Sequence, residues 1–230
     1  MSIADWIISK SNAGITANLE IGAPIDGTGS LYLSQSGIAG SVGVATVHLK
    51  VLAGPPQSEF LKGRIQTLIK PTQFTDGATS VSFFGIFAMM SQSTLYTAGA
   101  QAYFAGRWGG TSPSWRISKI LNGITTGTTD FTHLAQGTIA NMPAVNDVRA
   151  MQFEWICDPL EFNGVRLTLS ASPDDDFDNL TTIYQVVDTS PTFLTTTVGE
   201  GLFMSALHST PGPVVTVLYD RTANFELVAV

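Results

Sequence analysis

The amino-acid sequence predicts an all-β protein, folded as an antiparallel β-sandwich with little helix. In many short runs, apolar residues alternate with polar ones at a period of two, and clusters of Gly, Pro, Asn or Asp separate these runs. Charged residues make up only 13% of the 230 residues, against roughly 25% in an ordinary domain. Helical surfaces rich in Lys and Glu are therefore scarce, whereas Thr and Ser, which suit strands and turns, are abundant.

At least ten strands are expected in chain order. Each is a run of alternating or continuous apolar character that ends at turn-forming residues. The runs are 30–33, 47–51, 64–70, 81–90, 103–108, 115–121, 151–157, 165–171, 183–187, 201–207, 214–219 and 225–228. The run 81–90 is apolar on both faces, which predicts a central strand. No helical period interleaves the runs, so a sandwich or barrel forming one domain over residues 1–230 is favoured.

The stretch from Tyr103 to Gly123 predicts two consecutive hairpins. One strand ends at Trp108, a Gly-Gly-Thr-Ser-Pro loop follows, and a second strand begins at Trp115 and closes on Asn122-Gly123. Short Gly/Pro loops and Asn-Gly pairs are typical of antiparallel hairpins. This stretch is therefore expected to lie within one sheet.

The same stretch contains the candidate carbohydrate-binding residues. Aromatic rings with polar donors beside them suit sugars, whose C–H faces stack on Trp and Tyr. The candidates are Tyr103, Arg107, Trp108, Trp115 and Arg116. The competing and preferred interpretation makes Trp108 and Trp115 a cross-strand pair that sets the register of the hairpin.

Charge and composition exclude several classes of function. The formal net charge is −7 with 11 Lys and Arg, so the surface repels phosphate backbones and no nucleic acid is expected as a partner. No apolar run is long enough to span a membrane, and the N-terminus lacks the basic and apolar regions of an export signal. The single Cys157 lies in an apolar alternating strand and is expected to be a buried thiol.

Carboxylates offer one candidate catalytic motif. Glycosidases place two carboxylates about 5 Å apart around the sugar bond. Glu154 and Asp158 share strand parity, with Glu161 downstream, but Ile156 stands where the nearer partner is needed and Pro159 is expected to end the strand. The sequence therefore predicts no catalytic residues, and the chain is expected not to be an enzyme.

An acidic loop offers the one candidate metal site. Asp174, Asp176 and Asp178 alternate as in the first half of a calcium-binding loop. The sixth loop position is Asn179 instead of glycine, and the twelfth is Gln185 instead of a bidentate glutamate. A solvated turn is the preferred interpretation, and calcium at these three aspartates is the only cofactor that the sequence suggests.

Several segments, in chain order, resemble a concanavalin A-like (lectin/glucanase-type) jelly-roll domain. They are the early Gly29-Ser30-Leu31-Tyr32-Leu33 pattern, the strand and Asn-Gly turn over 115–123, the strand pair 151–157 and 165–171, and the closing strand over 219–228. The resemblance spans most of the chain. It implies a jelly roll in which the closing strand returns beside the first.

The charge-poor, Thr- and Gly-rich composition also resembles that of bacteriophage virion proteins, such as capsid-decoration, tail and fibre proteins. This resemblance implies a structural virion protein, made in the host cytoplasm, whose partners are its own copies and other virion proteins. With few charges on the surface, apolar patches and strand edges are expected to form the assembly contacts. The alternative function is a carbohydrate-binding module that attaches to a host-surface glycan.

Overall fold

The computed structural model describes residues 6–10, 15–20, 25, 30–36, 42–49, 57–58, 62–77, 80–92, 95–124, 128–158, 163–190, 196–197, 199–208 and 213–226. Over these ranges the chain is almost entirely β-strand, and its helical segments are the 3-10 turns Thr128–Asp130 and Phe177–Asn179. No helix in them is long and apolar enough to cross a membrane. The predicted all-β class is confirmed.

The described ranges contain sixteen strands, numbered in chain order. They are β1 (Trp6–Lys10), β2 (Ile15–Glu20), β3 (Ser30–Ser36), β4 (Val42–Leu49), β5 (Gln57–Ser58), β6 (Lys62–Phe74), β7 (Ser80–Met90), β8 (Ala102–Trp108), β9 (Ser114–Ile120), β10 (Phe131–Gln136), β11 (Arg149–Asp158), β12 (Gly164–Ala171), β13 (Thr181–Asp188), β14 (Thr196–Thr197), β15 (Gly199–His208) and β16 (Pro213–Glu226). Each predicted run overlaps one of these strands, but several strands extend well beyond their runs, as β4 does back to Val42 and β6 does on to Phe74. The runs 214–219 and 225–228 both belong to β16, and β1, β2, β5, β10 and β14 match no predicted run. Of the predicted motifs, Gly29, Val51, Glu161, Leu227 and Val228 lie outside the described residues.

Two seven-stranded antiparallel sheets form the sandwich. The front sheet has the order β1-β4-β15-β7-β8-β9-β10, and the back sheet has the order β13-β12-β11-β6-β16-β3-β2. Neighbouring strands are often distant in sequence, as where β16 lies between β3 and β6. The closing strand thus returns beside the early strand β3, inside the back sheet, and the antiparallel jelly-roll sandwich is confirmed.

The main core lies between the two sheets. Phe84 and Ile117 of the front sheet and Phe153 and Leu167 of the back sheet are fully buried there. Burying such a side chain contributes about 1.5–3 kcal/mol. Alternation decides which residues enter this core, since successive side chains of a strand point to opposite faces. Cys157 shares the inner face of β11 and is buried, as expected.

A second apolar cluster covers part of the outer face of the front sheet. Phe83, Phe104 and Phe131 pack there in edge-to-face contacts. Phe87 and the loop residue Leu95 are buried in the same cluster. The strand β7 is therefore buried on both faces and occupies the middle of the front sheet, as its continuous apolar run predicts. The cluster ends at Trp108, and the candidate site begins there.

Candidate functional site

The β8–β9 hairpin sends its side chains to two different faces of the front sheet. In the register, Trp108 lies opposite Ser114, and Arg107 lies opposite Trp115. Trp115 is fully buried in the main core, where its indole Nε1 donates to the carbonyl oxygen of Ala140 at 2.7 Å. The predicted Trp108–Trp115 cross-strand pair is therefore wrong, because the two rings lie on opposite sides of the sheet.

An open cleft of about 530 Å³ lies on the outer face of the front sheet, at the Trp108 end of β8. Its base contains Trp108, Arg116 and His133, from three adjacent strands. Its wall contains the β8–β9 loop, residues 109–112, together with Gly77 and Val81. The hairpin and its neighbour β10 thus bring a cation, an imidazole and loop hydroxyl groups to one surface.

Trp108 supports the base of the cleft but has no ring face free for a sugar. One face stacks on Phe83, with 4.6 Å between ring centroids and 11° between planes. The guanidinium carbon of Arg116 lies 4.6 Å from the Trp108 ring centroid, and must cover the other face. The rings of Phe131 and His133 contact it edge-on. In this arrangement Arg116 occupies the position over Trp108 that a stacked sugar ring would take.

Arg116 is a half-buried cation without a carboxylate partner in the described part of the chain. Its Nε donates to Ser114 Oγ at 3.3 Å, and its Nη1 lies 2.5 Å from His133 Nε2. Arg107, Lys119 and Arg149, in contrast, each form an ion pair with a described aspartate. Burial lowers the pKa of Arg116, against a smaller opposing effect of Tyr184, yet a guanidinium remains charged at neutral pH.

His133 is held as a neutral imidazole of one tautomer. Burial, and then the charge of Arg116, lower the pKa of His133 from its usual value to about 4. Because a guanidinium can only donate hydrogen bonds, Nε2 of His133 must accept from Arg116. The proton is therefore assigned to Nδ1, which donates to Ser118 Oγ at 2.8 Å. The Nε2 lone pair of His133 accepts a hydrogen bond from Arg116 and so fixes the orientation of the guanidinium.

Arg107, one of the predicted carbohydrate-binding residues, lies inside the sandwich beneath the cleft wall. Its guanidinium is buried over the ring of Phe74 and forms an ion pair with Asp76. Asp76 Oδ1 in turn accepts from the backbone N–H of Gly110 at 3.2 Å. Gly110 has φ +98°, a conformation that favours glycine. Arg107 therefore anchors the loop that walls the cleft and does not reach the cleft itself.

Tyr103 is also an inner residue and belongs to a polar cluster that joins the two sheets. Its hydroxyl donates to Asp188 Oδ2 at 2.7 Å, and Lys119 Nζ lies 2.6 Å from the same oxygen. Burial alone would raise the pKa of Asp188, but hydrogen bonds from Lys119, Ser190 and Tyr103 outweigh it and hold that pKa below its usual range. All three partners are committed to this cluster, so Tyr103 is unavailable to a ligand in the cleft.

Of the five predicted binding residues, the structure brings only Trp108 and Arg116 together on the outer face. Tyr103, Arg107 and Trp115 point inward, because odd-numbered positions of β8 and β9 face the main core and even-numbered positions face outward. The period-two pattern could have separated these groups. Sequence reasoning missed His133, since no local signal links it to Arg116.

The acidic loop over 174–179, for which the sequence favoured a turn over a calcium site, is a hydrogen-bonded turn. Asp174 Oδ1 accepts from the Ser172 hydroxyl at 2.5 Å and from the Asp176 backbone N–H at 3.1 Å. Asp176 caps the 3-10 turn by accepting from the backbone N–H of Asp178 at 2.9 Å. Hydrogen bonding, led by that from Ser172, lowers the pKa of Asp174. These three carboxylates do not converge, and no group of His, Cys, Asp or Glu in the described ranges does so as a metal-ligand set.

Glu154 lies far from the cleft, on the back sheet. Its neighbours in sequence, Phe153 and Trp155, face the main core, so Glu154 points to the outer surface of that sheet, opposite Arg64 of β6. The interpretation of Glu154 as a surface strand residue agrees with this placement.

The fold is an antiparallel jelly-roll β-sandwich, here with a cationic cleft on its front sheet. No protein-family model and no curated protein matches the sequence. Solved structures do match in fold. The marine PL-14 alginate lyase from Aplysia kurodai superposes with a TM-score of 0.61 at 10% identity, over 96% of this chain and 90% of the lyase.

Two further structures extend the comparison. The carbohydrate recognition domain of Emp47p has a TM-score of 0.53 at 10% identity, over 97% of this chain and 89% of that domain. The endo-beta-1,4-glucuronan lyase from the fungus Trichoderma reesei has a TM-score of 0.51 at 12% identity, over 96% of this chain and 90% of that enzyme. At these identities the likeness is one of fold.

The sequence-based prediction that the chain is not an enzyme is wrong. Two proteins of the same fold and similar extent are lyases, so this architecture carries catalysis. The sequence argument considered a paired-carboxylate glycosidase, and its failure to find that pattern excluded one reaction only. A shared fold neither establishes nor excludes a catalytic function.

Proposed function

We propose that this chain recognises carbohydrate, and that the ligand binds in the cleft above Trp108, Arg116 and His133. The observation that carries the proposal is the preorganised guanidinium of Arg116 at the base of an open cleft. Of its five N–H donors, two are accounted for by Ser114 and His133. The remaining donors suit the closely spaced oxygen atoms of a sugar ring.

The surroundings of Arg116 support a binding role. Thr111 and Ser112 are exposed at the rim, where their hydroxyl groups can donate and accept. Beneath them, the Arg107–Asp76 pair holds the loop, so the wall is ordered before a ligand arrives. Preorganisation of this kind reduces the entropic cost of binding. The Emp47p domain, a carbohydrate recognition domain of the same fold, makes this ligand class a natural candidate.

A glycan array followed by titration calorimetry tests this proposal. We expect binding to a defined subset of glycans and a loss of at least tenfold in affinity on Arg116→Gln, about the value of one charge-assisted hydrogen bond. The matched control is Arg166→Gln, a half-buried strand arginine on the outer face of the back sheet. Absence of glycan binding by the intact chain, or equal losses in both variants, would overturn the proposal.

A second candidate function is that of a structural subunit in a bacteriophage virion. Charged residues form only 13% of the sequence, and the described surface exposes the large apolar side chains Ile139, Val145 and Val187. Val187 belongs to β13, which is an edge strand of the back sheet. On this proposal the chain, made in the host cytoplasm, packs against its own copies and other virion proteins through such edges and patches.

The mass of the chain in solution tests this second function. Sedimentation should give a closed homo-oligomer, and Val187→Lys on β13 should shift the population toward monomer. The variant keeps the register of β13, since position 187 is exposed. A stable monomer with no affinity for any particle component would contradict the assembly role.

A further inference from the structure

We infer that the ligand of the cleft is an anionic glycan, whose carboxylate or sulfate group forms an ion pair with Arg116. This inference rests on the proposed carbohydrate function and specifies the class of carbohydrate. It uses three observations: the missing counterion of Arg116, the fixed orientation of its guanidinium, and the neutral state of the imidazole beside it.

The first observation concerns charge balance. The two fully buried cations of the described ranges have carboxylate partners, Asp76 for Arg107 and Asp188 for Lys119. Arg116 instead contacts an indole ring, a serine hydroxyl and an imidazole nitrogen, all of them neutral. A partly desolvated charge is unfavourable unless it is paired. An anion bound in the cleft supplies the missing partner.

The second observation is that the guanidinium is fixed before any ligand binds. Trp108 supports its plane, Ser114 holds Nε and His133 holds Nη1. Nη2 donates to no described residue, and Arg116 lines the open cleft. A carboxylate or sulfate can accept from the Nη groups through two oxygen atoms, an arrangement that adds both strength and direction. Neutral hydroxyl groups use the same donors less strongly.

The third observation is the protonation state of His133. A protonated imidazole would repel Arg116 and would compete with it for the anion. With its pKa held near 4 by burial and by Arg116, His133 is neutral at physiological pH and accepts from the guanidinium. The other titratable group acting on Arg116 is Tyr184, whose effect is to raise the pKa of Arg116. The positive charge of the cleft base is therefore carried by Arg116 alone.

The net negative charge of the chain means that an anionic glycan can be held only by contacts within the cleft. A net charge of −7 repels polyanions at long range, so non-specific attraction cannot hold an anionic glycan here. Affinity must come from contacts within the cleft. If Arg116 holds the anion, removing its positive charge should abolish binding. A protein with a diffuse basic surface would keep most of its binding after losing one charge.

The test compares glycans that differ only in the anionic group. A panel of neutral, uronate-bearing and sulfated glycans identifies the best ligand, which is then converted to its neutral form by carboxyl reduction or by desulfation. We expect the intact chain to bind the anionic form at least tenfold more tightly. The response to each treatment tells carboxylate from sulfate. This arm needs no variant and is independent of folding effects.

Variants then locate the charge. Arg116→Lys keeps the charge but loses the planar fork, so an intermediate affinity is expected, whereas Arg116→Gln should bind anionic and neutral forms equally weakly. Equal binding of the two forms by the intact chain overturns the anionic inference while the carbohydrate proposal stands. Binding of no glycan in the panel overturns both. Anionic preference retained in Arg116→Gln also contradicts the inference.

Discussion

At the scale of single residues, the contact between Arg116 and His133 decides what the cleft can do. The two side chains come from neighbouring strands. Burial, together with the charge of Arg116, keeps the imidazole of His133 neutral, and the imidazole keeps the guanidinium of Arg116 oriented. His133 is therefore a positioning residue in the resting cleft. We therefore expect His133 to support ligand binding only while its imidazole is unprotonated.

This contact predicts a pH dependence of stability. The pKa of His133 is about 4 in the folded protein and about 6.5 when unfolded, so the unfolded state binds more protons between these values and stability falls as pH falls through that window. We expect roughly 1–2 kcal/mol to be lost by pH 4, less than the full shift implies because the ring is partly solvated. Urea unfolding at pH 7, 5.5 and 4 measures this loss.

His133→Gln is the matched variant for this pH dependence, since a Gln amide oxygen can accept from Arg116 without titrating. Lowered carboxyl pKa values, such as those of Asp174 and Asp188, contribute equally to both proteins and cancel in the difference. The intact chain should lose more stability than the variant between pH 6.5 and pH 4. Parallel curves would show that His133 is not the titrating group.

At the scale of elements, the β8–β9 loop and the β6–β7 connection meet at Asp76. The backbone at Gly109 approaches this carboxylate so closely that an added Cβ would lie 1.9 Å from Asp76 Oδ1 and 2.7 Å from the Ser82 carbonyl oxygen. Glycine at position 109 is thus required for the anchor that shapes the cleft wall. Gly77, across the cleft, has open space around its Cβ position.

The two glycines give a matched pair of substitutions. Gly109→Ala should destabilise the protein by about 1–3 kcal/mol, because the added methyl group must displace Asp76 or the β7 backbone. Gly77→Ala, in the same cleft, should change the free energy of unfolding by less than about 0.5 kcal/mol. Chemical denaturation compares them. Similar costs at both positions would contradict the close packing described for Gly109.

The β10 strand also acts at this scale, because its irregular register places His133. The pairing shifts between His133 and Ala135, so His133 lies opposite Ser118 and Gln136 lies opposite Arg116. The bulge lets Leu134 and Ala135 both pack toward the main core, while His133 keeps the outer face. A regular strand would not give this combination of contacts.

At the scale of the whole molecule, a buried polar cluster ties the front sheet to the back sheet. Tyr103 and Lys119 come from β8 and β9, and both contact Asp188 at the end of β13. Such a cluster costs desolvation and is stable only when every member has a partner. Tyr103 therefore contributes to stability and not to ligand binding.

Tyr103→Phe separates these two roles. Removing the hydroxyl deletes a buried hydrogen bond to a carboxylate, so we expect a loss of about 1–3 kcal/mol in the free energy of unfolding. Glycan affinity measured by calorimetry should stay unchanged, since the side chain lies on the opposite side of the sheet from Arg116. Weaker glycan binding by a fully folded Tyr103→Phe protein would restore Tyr103 to the binding site.

The sequence by itself determined the all-β class, the approximate positions of most strands and the two-faced burial of the 81–90 strand, because period-two alternation and turn residues are local signals. It missed β10, the strand that carries His133. That residues 1–230 form one domain stays a prediction. Only the tertiary structure decided which face of the β8–β9 hairpin is open. Alternation places Trp108 and Arg116 on one face of the hairpin and Tyr103, Arg107 and Trp115 on the other. Because both faces are partly apolar, it does not tell which face packs into the main core and which lines the cleft. The meeting of Arg116 with His133 depends on the register between β9 and β10, a pairing set by packing across the sheet.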